Sequence, residues 1–193
     1  MRYDNYRTHH SSRRLRGYDY TQQGAYFLTI CTHERACLLG EIVEGRMVLN
    51  EIGTIVDKEW RRTEEIRGEI TLDAFVVMPN HVHGIVVIGA GDDRAIDRAG
   101  HDVSVDGERA VATHGRASLL HRKPKSLGSL VAGFKSAATR RINRMRKTPG
   151  AKVWQKNYFD RILRNEKQSD AVRQYIKMNP ERWSDDVHFA VEK

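Results

Sequence analysis

Two apolar runs, residues 72–78 and 81–88, are separated only by Pro79 and Asn80. A connection that short joins antiparallel strands, because a parallel crossover needs a dozen residues or more. The chain is therefore expected to be built around an antiparallel hairpin. In its second strand, Ile85 and Val87 share a face with His81 and His83, while Val82, Val86 and Ile88 share the other. A strand that is apolar on both sides needs a cover on each face of its sheet. A helix on each side would meet that need.

The remaining segments supply those covers. Residues 25–32, rich in aromatic and β-branched side chains, read as the first buried strand. Glu41-Ile42-Val43 and Met47-Val48-Leu49 flank Glu44-Gly45-Arg46 and predict a short hairpin turned at the glycine. Asn50 then caps a helix whose apolar positions Ile52, Ile55, Val56 and Trp60 keep helical spacing, ending near Glu65. Ser126 opens a second amphipathic helix, with Leu127, Leu130, Val131, Phe134, Ala138, Ile142 and Met145 on one stripe. Pro149-Gly150 breaks the chain, and residues 153–163 predict an edge strand. A last helix begins near Lys167 and stops around Asn179, since Pro180 cannot extend it. The order strand, helix, strand, strand, helix, strand defines an α+β fold, a ferredoxin-like (RRM-like) antiparallel sheet with helices. The additional C-terminal helix carries Tyr175.

A chain of 193 residues suits one hydrophobic core with extensions. The expected organisation is a basic arm over residues 1–23, a domain over 24–185 and a tail over 186–193. Residues 89–125, dominated by Gly, Asp, Arg, Ala and His without an apolar repeat, read as a flexible insertion in the domain. The net charge of +8 and pI near 9.7 favour a polyanionic partner such as nucleic acid. Two cysteines, Cys31 and Cys37, exclude a secreted disulfide framework, and no apolar stretch near the start suits a signal peptide or membrane span. A cytoplasmic protein without membrane contact is expected.

His81 and His83, two apart on a strand, can converge on one cation, and no CxxC pair is present to complete a closed structural zinc set. Tyr175 and Asn179 stand one helical turn apart and face the same way if the helix survives to Asn179. Two imidazoles and an amide oxygen leave coordination positions open, as a divalent ion requires to polarise a phosphodiester. The ion would be Mg²⁺ or Mn²⁺: nitrogen ligands favour Mn²⁺, cellular abundance Mg²⁺. Tyrosine, with an ordinary pKa of about 10, attacks only a polarised phosphate or with a base at hand. Attack would leave a phosphotyrosyl intermediate that conserves the phosphodiester bond energy. Tyr158 competes for the role of nucleophile, although its aromatic strand beside Trp154 and Phe159 suggests packing.

These residues resemble the HUH single-tyrosine transposases of the IS200-like family, and within them the REP-associated tyrosine transposases. The resemblance runs through residues 13–20, Met78-Pro79-Asn80-His81-Val82-His83-Gly84, Gly133-Phe134-Lys135-Ser136 and residues 154–180, most of the chain apart from the insertion. It implies metal ligation by His81, His83 and Asn179, with asparagine where many single-tyrosine relatives have glutamine. It also implies attack by Tyr175 on single-stranded DNA to give a 5′-phosphotyrosine, and recognition of DNA hairpins beside the cut. The expected DNA contacts are Arg13, Arg14 and Arg16 on the arm, Lys135, Arg140, Arg141 and Arg144 on the basic helix, and Arg161 and Arg164 near the last strand. Phosphate contacts of that kind position a strand and make binding steeply salt-dependent. Trp154 can either stack a base or belong to the core. The acting species would be a monomer or homodimer. A non-catalytic single-stranded DNA- or RNA-binding module on the same sheet is the alternative, although the aromatic pattern of RNA-recognition sheets is missing.

Overall fold

The computed structural model describes residues 17–89 and 125–186. Its elements in chain order are β1 (Gly24–Cys31), β2 (Gly40–Val43), β3 (Arg46–Leu49), α1 (Glu51–Ile66), β4 (Ile70–Met78), β5 (His81–Ile88), α2 (Leu127–Arg146), β6 (Phe159–Leu163) and α3 (Glu166–Met178). The arm at Arg13, Arg14 and Arg16 and nearly all of the expected insertion and tail lie outside the described residues.

Four strands make one antiparallel sheet in the order β4-β5-β1-β6. Counting sheet strands along the chain, this is second, third, first, fourth, the ferredoxin-like arrangement expected from the element order. The hairpin at residues 79–80 joins the two strands it was expected to join, and β2 and β3 form a separate hairpin. Its turn residues Glu44 and Gly45 have φ of 50° and 72°, the left-handed pair that a tight hairpin turn requires.

One face of the sheet packs on two helices. Tyr26, Leu28 and Ile30 of β1 and Val82, Val86 and Ile88 of β5 share a core with Val56 and Trp60 of α1 and Leu130, Phe134 and Ile142 of α2. The other face carries a smaller cluster in which Phe27, Ile85 and Leu163 meet Val172 and Ile176 of α3. The helices begin where side-chain oxygens satisfy their first amides: Asn50 accepts from Gly53 N, Ser126 from Ser129 N and Asn165 from Gln168 N. Gly84 is required by packing. A Cβ there would lie 2.5 Å from Trp60 Cζ2, so the absence of a side chain lets α1 approach β5.

Two segments differ from expectation. The strand expected over residues 153–163 is ladder-paired only over Phe159–Leu163, and Trp154 makes a single bridge to Thr32. The reason is local: Lys135 Nζ donates to the carbonyls of Gln155 and Asn157 at 2.9 and 2.8 Å, and the Trp154 ring is buried 5.6 Å from that of Phe134. That burial answers the stacking-or-core alternative in favour of the core. Residues 17–23, counted with the arm, lie against the domain, where Tyr18 and Tyr20 pack on the main core and Leu127 N donates to Tyr20 O at 3.1 Å.

Candidate functional site

The histidines lie on the α3 face of β5, both fully buried, with ring centroids 4.3 Å apart. Their orientations are set by neighbours. Asn80 Nδ2 donates to Arg35 O at 3.1 Å, which turns its Oδ1 toward His81 Nδ1 at 2.9 Å. An amide oxygen can only accept, so His81 donates from Nδ1, and in the neutral ring that leaves Nε2 as the nitrogen able to ligate. The turn itself is pinned: Asn80 O accepts from Thr32 N and from Thr32 Oγ1, and Pro79 O accepts from Leu39 N. His83 has Thr29 Oγ1 2.9 Å from its Nδ1, because Thr29 is its cross-strand partner on β1.

Tyr175 reaches this pair from α3. Its hydroxyl lies 3.1 Å from His83 Nε2, and its ring stands edge-on to Phe27 with centroids 6.1 Å apart. Asn179 caps α3 with helical dihedrals, φ −60° and ψ −42°, so the turn from Tyr175 to Asn179 is complete despite Pro180. Past Pro180, a short 3-10 turn, Trp183–Asp185, sets the Trp183 ring 5.9 Å from His81 and brings Asp186 into the site. The Asp186 Oδ2 lies 3.3 Å from the Tyr175 hydroxyl and accepts from Asn179 Nδ2 at 2.8 Å.

The donor set suits a divalent cation. His81, His83 and Asp186 each offer a ligand atom, all within 4.8 Å of one another. Asn179, only 2% exposed, keeps its Oδ1 buried without a hydrogen-bond partner among the described residues. An orphaned buried carbonyl oxygen is costly unless something binds it, and two nitrogens with two oxygens match Mn²⁺ or Mg²⁺ better than a thiolate-seeking metal. The Cys31 thiol is the cross-strand neighbour of His81, but burial pushes it up to about 11, so at neutral pH it stays protonated and offers no thiolate.

The expected DNA contacts are dispersed. Arg140 and Arg144 are exposed on α2 and line one cleft. Arg141 Nε instead sits 2.8 Å from Oε1 of the buried Glu59 on α1, a close charge pair not aligned as a hydrogen bond. Lys135 holds the two carbonyls described above. Arg161 is exposed on β6, on the same face as Phe27 and the histidines, and Arg164 is exposed just beyond it. Tyr158 packs at the edge of the main core, with Lys135 Nζ 5.9 Å from its ring centroid. Sequence reasoning passed over Thr29 and Asp186. The first was accessible through the alternation Phe27, Thr29, Cys31 once the register to β5 is known; the second follows a proline and a non-repeating turn and has no periodic signal.

The fold is shared with a solved structure of a REP-associated tyrosine transposase bound to a REP hairpin, which covers 88% of this chain and 73% of its own at a TM-score of 0.55 and 18% identity. The likeness drawn from the sequence motifs is thus met in the fold. An uncharacterised protein of Haemophilus influenzae is 34% identical over 180 residues, 92% of either chain, and the present chain belongs to one family with it. No family model matches the chain. No helix among the described residues is long and apolar enough to cross a membrane.

Proposed function

We propose that the chain is a transposase-like enzyme that cleaves and rejoins single-stranded DNA at hairpin-flanked sites through Tyr175. The observation that carries this reading is the Tyr175 hydroxyl within hydrogen-bonding distance of both His83 Nε2 and Asp186 Oδ2, on a fold shared with a transposase. His81, His83 and Asn179 would hold Mg²⁺ or Mn²⁺, with the Asp186 carboxylate as a further oxygen donor. Such an ion supplies charge neutralisation at the phosphate. Asn80 and Thr29 engage the Nδ1 atoms of the two imidazoles, which would leave their Nε2 atoms to hold such an ion.

Cleavage then needs one proton moved. The phenolic proton passes to Asp186 Oδ2, the phenolate oxygen bonds to phosphorus, and the bond from phosphorus to the 3′ oxygen breaks as that leaving oxygen takes up the proton Asp186 gives back. The products are a 5′-phosphotyrosine and a free 3′-hydroxyl, and attack by a second 3′-hydroxyl on the phosphotyrosine reverses the chemistry to join strands. Exposed Arg140, Arg144, Arg161 and Arg164, with the arm arginines Arg13, Arg14 and Arg16, would hold the backbone phosphates.

Incubation with Mn²⁺ and labelled hairpin DNA should trap a covalent adduct that Tyr175→Phe abolishes and Tyr158→Phe retains. An adduct that survives Tyr175→Phe removes the assignment. Asp186→Asn separates its two duties: retained Mn²⁺ binding with lost adduct assigns the proton, whereas lost binding assigns a ligand. Salt-sensitive binding that ignores chelator and yields no adduct would favour the non-catalytic module.

A further inference from the structure

Among the described residues, every phenylalanine, tyrosine and tryptophan belongs to one of the two apolar clusters except Tyr175 and Trp183. Both of these lie at the histidine pair. Tyr175 is the nucleophile of the reading above, whereas Trp183 has so far no part in either the core or the chemistry. An indole is a large apolar surface that folding ordinarily puts into a core, so one kept at a polar site calls for a reason.

The backbone holds Trp183 in place. Past Pro180 the chain closes its 3-10 turn through Arg182 N to Asn179 O at 3.2 Å, Trp183 N to Pro180 O at 3.4 Å and Asp186 N to Trp183 O at 3.1 Å. The tip of the β2–β3 hairpin braces this segment, since a Cβ built on Gly45 would lie 3.6 Å from Glu181 Cα. The Trp183 ring is half-buried and tilted by 34° to that of His81, with centroids 5.9 Å apart. His81 stands 4.3 Å from His83 in turn, and His83 Nε2 meets the Tyr175 hydroxyl. The indole is thus two ring spacings from His83, a span that one nucleotide bridges from its phosphate to its base. A ring set on a braced turn loses little freedom when a flat partner settles on it.

We propose that Trp183 is the stacking platform for the unpaired base that adjoins the reacting phosphate. The assignment rests on the nucleic-acid reading above and adds a contact to a base, where the arginines contact only phosphates. Every base has a π-face, so the platform steadies the strand at the cut without reading its sequence.

The test is fluorescence anisotropy of the full chain carrying Tyr175→Phe, which blocks the reaction. The probes are a labelled DNA hairpin with single-stranded deoxyadenosine flanks and the same hairpin with abasic flanks. The base-bearing hairpin should bind about tenfold more tightly, the scale of one base stacked on an aromatic ring. Adding Trp183→Ala should bring that ratio close to one, and Trp183→Phe should restore most of it. A ring that merely propped the turn would change both affinities alike and leave the ratio standing, so a ratio unmoved by Trp183→Ala overturns the proposal, as does equal binding of the two hairpins by the parent protein. Tryptophan emission gives a second reading, because Trp60 and Trp154 are 0% and 8% exposed in the main core. The base-bearing hairpin should quench it, and Trp183→Phe should abolish the quenching; emission indifferent to that hairpin also overturns the proposal. Failure of the enzymatic reading looks different: the ratio and its loss in Trp183→Ala hold, yet the chain with Tyr175 intact forms no adduct.

Discussion

The Thr29 hydroxyl is the smallest part of the site, and its removal isolates ring orientation from everything else. With its oxygen 2.9 Å from His83 Nδ1, it fixes which way the imidazole faces. Thr29→Val keeps the shape and loses the contact, so Mn²⁺ affinity is expected to fall about 10- to 100-fold. Calorimetric titration reads this directly, and unchanged affinity would show that packing alone aligns the ring. At this scale the histidine pair and the Tyr175/Asn179 turn were legible, because strand and helix periods translate spacing into a shared face. Thr29 was not, since its partner 54 positions away is assigned by strand register. Asp186 was not either, because no periodicity crosses Pro180.

α3 is anchored by two buried apolar side chains, Val172 and Ile176. A polar tie supplements them. The register of β4 shifts between Leu72 and Phe75, and at that irregularity Asp73 Oδ2 meets Arg173 Nη2 at 2.7 Å, while Glu166 and Asp170 also pair with the guanidinium. The Arg173 hydrogen bond holds the Asp73 carboxyl below its usual value. A depressed carboxylate contributes stability that is present above its unfolded pKa and lost as pH falls through the lower folded value. Protection of the α3 amides, taken relative to their intrinsic exchange rate, should therefore fall as pH drops through the acid range. Asp73→Asn should make exchange faster at neutral pH and remove that dependence; a persistent acid transition would place its origin elsewhere. On α2, Arg141→Ala is expected to cost about 1–2 kcal/mol in thermal unfolding, because Glu59 keeps a buried charge while the guanidinium was already half in water. Arg144→Ala should leave stability unchanged and weaken DNA binding instead. The pairing of Arg141 with Glu59 was not legible in the sequence, since a helical repeat of arginines does not reveal which one meets an acid on a neighbouring helix.

Across the whole molecule, the two-residue connection at 79–80 and the order of elements were enough to anticipate the sheet, since short antiparallel links leave few topologies. The length of β6 was not anticipated, because the competing partner for its leading carbonyls is a lysine on α2, brought there only by the tertiary fold. The two faces of the sheet carry different burdens. One is filled by two helices and the main core, and the other holds the polar cluster under a single helix.

Because Gly84 lies one peptide from His83 and directly beneath Trp60, the histidine-bearing strand takes its height from the greasy side of the sheet. A single methyl added there is expected to cost about 1–3 kcal/mol through overpacking. Gly84→Ala should also lower Mn²⁺ affinity without altering any donor atom, which paired melting and calorimetric titration would reveal. Inheritance at this locus therefore constrains indole and imidazole together: a swap on the oily side can detune a chemical centre that it never touches.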